Sequence, residues 1–276
     1  MADFCVVDHA HRRVTRALSP CLRLDPQNGE IIEWLCEDYR LMRRYAEGEQ
    51  FAYLAMKRKP ALTSTLYGNI AQMKLAEGDP KAAQEILRQL PPAVRELRAI
   101  SDCAVFARLR WRCRSDREHA RRPGRKYFRW PAAFYFFQWR VARAHGDESA
   151  ARTAFQGARD SWEKADGRRD EWYFIAVAQL DARLGRKEEA IREAQRAVEL
   201  VPIELDPLFG AEMAGKLAQV YAWTGEPELA IEKLEMLAKM PCDISYGDLR
   251  FNPTWDSLRN QPRFEKIVAS LKPATR

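Results

Sequence analysis

Residues 108–129 carry ten basic side chains, Arg108, Arg110, Arg112, Arg114, Arg117, Arg121, Arg122, Arg125, Lys126 and Arg129, opposed only by Asp116 and Glu118. Trp111, Tyr127 and Phe128 are interleaved with them, and Trp130 follows. Guanidinium groups neutralise phosphates and aromatic faces stack on unpaired bases, so one chemistry open to this stretch is nucleic-acid binding. Phosphate contacts of that kind raise affinity without reading a base sequence. The other chemistry is a solvated arginine face on a helix whose apolar side is Phe106, Leu109 and Cys113, available to an acidic protein. Tyr127, Phe128 and Trp130 would then join the aromatic stretch 134–139 in its core. A solvated face or acidic-protein contact is the reading adopted, with a nucleic-acid adaptor as the alternative.

Catalysis requires converging groups, and the sequence assembles none. It has no G-x-S-x-G, no H-E-x-x-H and no glycine-rich phosphate loop; Gly124, Gly146 and Gly157 stand alone. Glu188 and Glu189 open a predicted helix, where carboxylates complement the helix dipole. Asp102 or Asp181, turned inward, would supply one acid and not an acid–base pair. The six cysteines, Cys5, Cys21, Cys36, Cys103, Cys113 and Cys242, form no C-x-x-C pair, which excludes the usual structural zinc spacing. They read as reduced, mostly buried thiols of a cytoplasmic protein. His9 and His11 lack a second ligand group nearby and read as part of a solvated tail. The expectation is therefore no enzyme, no metal and no cofactor.

Any functional residues must be positioned by the elements around them, and composition bounds those elements. The chain has 276 residues, 46% hydrophobic and 31% charged, enough apolar content for a substantial core. No run of about 18 apolar residues suggests a membrane span, and the first residues do not read as a secretory signal. The net charge of +7 is local, since residues 64–131 hold 15 basic and 7 acidic side chains. In 172–202 apolar residues recur at three and four, Gly185 interrupts, a second helical pattern follows and Pro202 ends it. Forty residues later Tyr221, Gly225 and Ala230 repeat the frame.

These patterns resemble tetratricopeptide repeats, 34-residue helix–turn–helix units with small residues at fixed places. The turn glycines are Gly78, Gly146, Gly185 and Gly225, and the small residues five later are Ala83, Ala151, Ala190 and Ala230. Glycine permits the tight reversal, and alanine lets the second helix approach the first. The resemblance implies an all-α solenoid, a right-handed superhelix of helix pairs. Its expected units are a partial repeat or tail at 1–28, repeats at 29–63, 64–97, 98–131 (degenerate and basic), 132–165, 171–204 and 211–244, and a cap at 245–276. In 29–63, Arg43 and Gly48 occupy the glycine and alanine places; in 98–131, Arg112 and Glu118 do. Phe264, Ile267, Val268 and Leu271 form a capping stripe beside Trp255 and Leu258, because a solenoid's last unit must be covered. The ending is similar to arrays C-terminal to Ser/Thr kinase, nucleotide cyclase or winged-helix modules in bacterial signalling proteins, which leaves open a regulatory module of a larger protein.

The resemblance also implies where a partner would lie, along the first helices on the concave side. Its groove places are Ala133, Phe136, Arg140 and Arg143 in one unit and Trp172, Ile175, Gln179 and Ala182 in the next. In the last unit they are Glu212, Gly215, Gln219 and Ala222, with Lys216 and Trp223 beside them. Arg140, Arg143, Arg183 and Lys216 would attract an acidic peptide, and Trp172 or Trp223 would anchor it. The function expected is a noncatalytic scaffold or adaptor holding a protein or peptide segment.

Overall fold

The structure, a computed structural model, describes Asp25 and residues 28–90, 148–164 and 169–274. Among these residues every regular element is helical.

Helix α1 (Gly29–Leu41) starts where the Asn28 side chain accepts the Ile31 amide at 3.2 Å. Its Ile32, Leu35, Cys36 and Leu41 are buried at helical spacing. Arg43 then takes φ +57°, reversing the chain into α2 (Tyr45–Arg58). A 3-10 turn (Pro60–Leu62) leads into α3 (Thr63–Glu77). Gly78 ends it at φ +91°, and Asp79 caps α4 (Pro80–Arg88) by accepting the Ala82 amide at 2.9 Å. After α5 (Glu148–Glu163), α6 (Glu171–Leu184) begins on an Asp170 cap and ends at Gly185, φ +81°. Helix α7 (Lys187–Leu200) follows. Then α8 (Pro207–Thr224) starts on an Asp206 cap and ends at Gly225, φ +79°. Helix α9 (Pro227–Leu237), the short α10 (Tyr246–Phe251), a 3-10 turn (Pro253–Leu258) and α11 (Pro262–Ser270) complete the order.

The small residues explain how the pairs close. Ala83, Ala190 and Ala230 are fully buried, so each second helix meets its first without a bulky side chain between them. The first helix of a pair packs on the first helix of the next, α1 on α3 and α6 on α8, while α2 packs on α3 and α7 on α8. Beside a small cluster of Phe155, Ala158, Leu180 and Leu184 between α5 and α6, two larger buried clusters result. One joins α1 to α4 around Leu66, Ile70 and Met73. The other joins α6 to α11 around Met213, Leu234 and Trp255. Trp255 and Phe264 are wholly enclosed, and the Trp255 indole donates to Asp248 at 2.9 Å. The Phe264, Ile267 and Val268 stripe covers the end of the second cluster, with Leu271 packed beside it.

Candidate partner-binding face

Gly185 and Gly225 set α6 and α8 in a register offset of 40 residues, so Trp172, Gln179 and Arg183 correspond to Glu212, Gln219 and Trp223. On α8 the half-buried or exposed Phe209, Glu212, Lys216, Gln219 and Trp223 recur at three and four, one continuous stripe. The two stripes touch, rung by rung. Trp172 and Phe209 meet edge to face with ring centres 6.4 Å apart, each more than a third exposed. The Lys216 ammonium lies 5.7 Å from the Trp172 ring centre. Gln179 donates to Gln219 at 3.1 Å, and the Arg183 guanidinium stacks 3.6 Å from the Trp223 ring centre. The Trp223 indole N–H is buried without a hydrogen-bond partner among the described residues.

The neighbouring groove places lie in the core instead. Ile175, Ala182 and Ala222 are buried in the core, and Gly215 is buried facing Leu237 and Ile244, while the residues one position along reach outward. Lys216 does not stand as a lone cation: its ammonium is 3.2 Å from Glu212 of the preceding turn. That i, i+4 spacing is the sequence signal for the pair. Burial pushes the Glu212 carboxyl upward, the Lys216 charge offsets this only in part, and Asp243 and Glu37 add to the push. Phe209 was missed by the repeat frame because it precedes the first groove place; its spacing to Glu212 and Lys216 would have shown it. Phe136, Arg140 and Arg143 lie outside the described residues, as does the entire basic stretch from Arg108 to Arg129.

The groups here can stack, donate and accept hydrogen bonds, and pair charges. Asp181 is buried under two cations, Arg159 at 3.1 Å and Arg186 at 3.0 Å, an internal tie between α5, α6 and α7. Among the described residues no group of three or more His, Cys, Asp or Glu is placed to hold a metal ion, and no helix is long and apolar enough to cross a membrane. Cys36 and Cys242 are buried free thiols.

Left-handed turns at Gly78, Gly185 and Gly225, fully buried Ala83, Ala190 and Ala230, and first-helix to first-helix stacking together settle the architecture of the described residues. The helix pairs are tetratricopeptide-like. Among solved structures the chain is similar to one in the crystal structure of the APC/C hetero-tetramer Cut9-Hcn1, at 13% identity and a TM-score of 0.47, over 96% of this chain and 46% of that one. The chain thus spans about half the length of the structure it matches. No family model matches the sequence, and no curated protein matches it.

Proposed function

We propose that this chain is a noncatalytic scaffold that holds an acidic protein or peptide segment along the first helices of its tetratricopeptide-like pairs. The observation that carries this reading is the ladder across α6 and α8. Trp172 and Phe209 offer apolar contact at one end, the two glutamines offer amide donors and acceptors in the middle, and Arg183 on Trp223 offers a rigid cation at the other. Aromatic residues and arginine are the side chains that anchor partners most strongly, because they bury large areas at little conformational cost. An acidic segment suits the ladder because its carboxylates can compete with Glu212 for Lys216 and bond to Arg183 in bidentate fashion. The proposal includes Arg140 and Arg143, to which the repeat resemblance assigns groove places.

The test is affinity capture from native extract with the intact chain and with a variant carrying Arg183→Glu and Lys216→Glu. Both side chains are partly exposed, so the double variant is expected to keep its helical circular dichroism and melting temperature. Its yield of captured partner should fall at least about tenfold, the loss of roughly 1.4 kcal/mol. Equal capture by a folded double variant would sink the assignment of this face.

A further inference from the structure

The two buried clusters meet through a joint made of polar groups and glycines. Arg43, at the turn between α1 and α2, sends its guanidinium to the end of α9 and the strand of chain beyond it. It donates to the Ile244 carbonyl at 3.0 Å through Nη2 and at 3.3 Å through Nε, and to the carbonyls of Leu237 at 3.4 Å and Ala238 at 3.5 Å. One turn earlier, Arg40 pairs with Asp243 while also bonding to Glu37 on its own helix. Beside these contacts α10 sits on the C-terminal end of α3 at a distance that only glycine permits. A β-carbon on Gly247 would fall 1.6 Å from the Leu75 carbonyl oxygen, and one on Gly78 would fall 2.5 Å from the Tyr246 ring.

We propose that this joint is an electrostatic latch that closes the α1–α4 body onto the α9–α10 segment and can open without melting either body. Each side has its own apolar core. A contact between bodies that is neither large nor hydrophobic leaves them free to move relative to one another. Opening trades the arginine–carbonyl bonds and one ion pair for water and lifts the Tyr246 ring off Gly78. The glycines make closure specific: the backbones touch directly, and the arginines then lock the fit. The latch shares no side chain with the ladder of the partner-binding face, although Lys216 and Glu212 of that face feel the charge of Asp243.

Hydrogen–deuterium exchange on the full chain tests it. Gly247→Val places a branched side chain where the Leu75 carbonyl stands, and Arg40→Asp removes the ion pair. Each variant should exchange about tenfold faster or more in residues 72–78 and 242–251, while the core segment 213–222 of α8 changes less than about twofold. Combining Arg40→Asp with Asp243→Arg should restore the slow rates by rebuilding the pair in reverse. Unchanged protection at 72–78 and 242–251 in Arg40→Asp would overturn the latch, as would failure of the reversed pair to restore it. If Gly247→Val loses its fold, the reversed pair alone decides. Light scattering supplies the remaining outcome: a joint whose protection rises with protein concentration, with a doubled mass, forms between copies and contradicts an intrachain latch.

Discussion

Arg43 holds a backbone conformation that glycine holds at the three other described turns of this kind, Gly78, Gly185 and Gly225. A side chain there crowds the following carbonyl, at a cost of roughly 1–2 kcal/mol. An outlier of this sort persists only where its surroundings over-determine it, and the carbonyls of Leu237, Ala238 and Ile244 around the guanidinium supply that determination. The two contributions can be separated. Arg43→Ala loses the hydrogen bonds and keeps the strained φ; Arg43→Gly loses the same bonds and relieves it. Arg43→Ala is expected to destabilise the chain by about 1.5–3 kcal/mol, the range for hydrogen bonds made by a charged group. Arg43→Gly should recover about 1 kcal/mol of that. Urea unfolding followed by circular dichroism measures both, and an Arg43→Gly protein no more stable than Arg43→Ala would mean the turn is unstrained.

At the scale of the elements, the first helix pair shows how a repeat survives the loss of its signature residues. The small place that alanine fills elsewhere is filled by Gly48, and it is tighter there. A β-carbon on Gly48 would lie 2.8 Å from Tyr39 Cβ and 2.7 Å from Met73 Cε. Methionine can swing its end away, but the Tyr39 β-carbon is fixed to the backbone of α1. Helix propensity alone would favour Gly48→Ala by about 0.5–1 kcal/mol; the clash reverses the sign, and a net loss of about 1 kcal/mol or more is expected. A rise in the thermal midpoint on Gly48→Ala would show that α1 and α2 have slack between them. The later pairs were readable in the sequence because their glycine and alanine act locally: turn chemistry and helix approach depend on residues within one hairpin. The capping stripe was readable for the same reason, since Phe264, Ile267 and Val268 share one helical face. Arg43 was not readable as a turn residue, because what stabilises it lies some 200 positions away. The face across α6 and α8 was legible as far as its spacing went. Its frame placed Trp172, Gln179 and Gln219 outward but could not show that Lys216 already has Glu212, or that Arg183 sits over the Trp223 ring.

At the scale of the whole molecule, two carboxylates beside the joint give it a pH dependence with two opposite limbs. Burial works against the charged form of Asp243, but the Arg40 guanidinium outweighs it, with Lys216 adding to the effect, and the carboxyl is held below its ordinary range. Its contribution to closure is therefore complete above the ordinary aspartate value, about 4, and is lost as pH falls through the lower value of the folded chain. Asp248, on α10, is shifted the other way. Burial raises it, the hydrogen bonds from Asn252 and Trp255 offset this only partly, and the Asp243 charge adds to the rise. Its contribution is complete below the ordinary aspartate value and declines as pH rises through the raised one. Lys216 and Glu212 face the same cluster from α8, and Glu37, Arg40 and Arg43 face it from the α1–α2 turn. The two limbs together place tightest closure near the ordinary aspartate value, about pH 4. Exchange at 72–78 and 242–251, corrected for the intrinsic pH dependence of amides, should pass through a minimum there and rise steeply below it. The chain carrying Asp243→Asn should lack the acid limb and exchange fast at every pH, because Arg40 then has no charge to close on. Asp248→Asn should flatten the rise on the neutral side while leaving the acid limb in place. A joint protected equally from pH 3 to pH 8 in the unaltered chain would show that neither carboxylate governs closure. Arg43 and the glycine contacts alone would then hold the two bodies together.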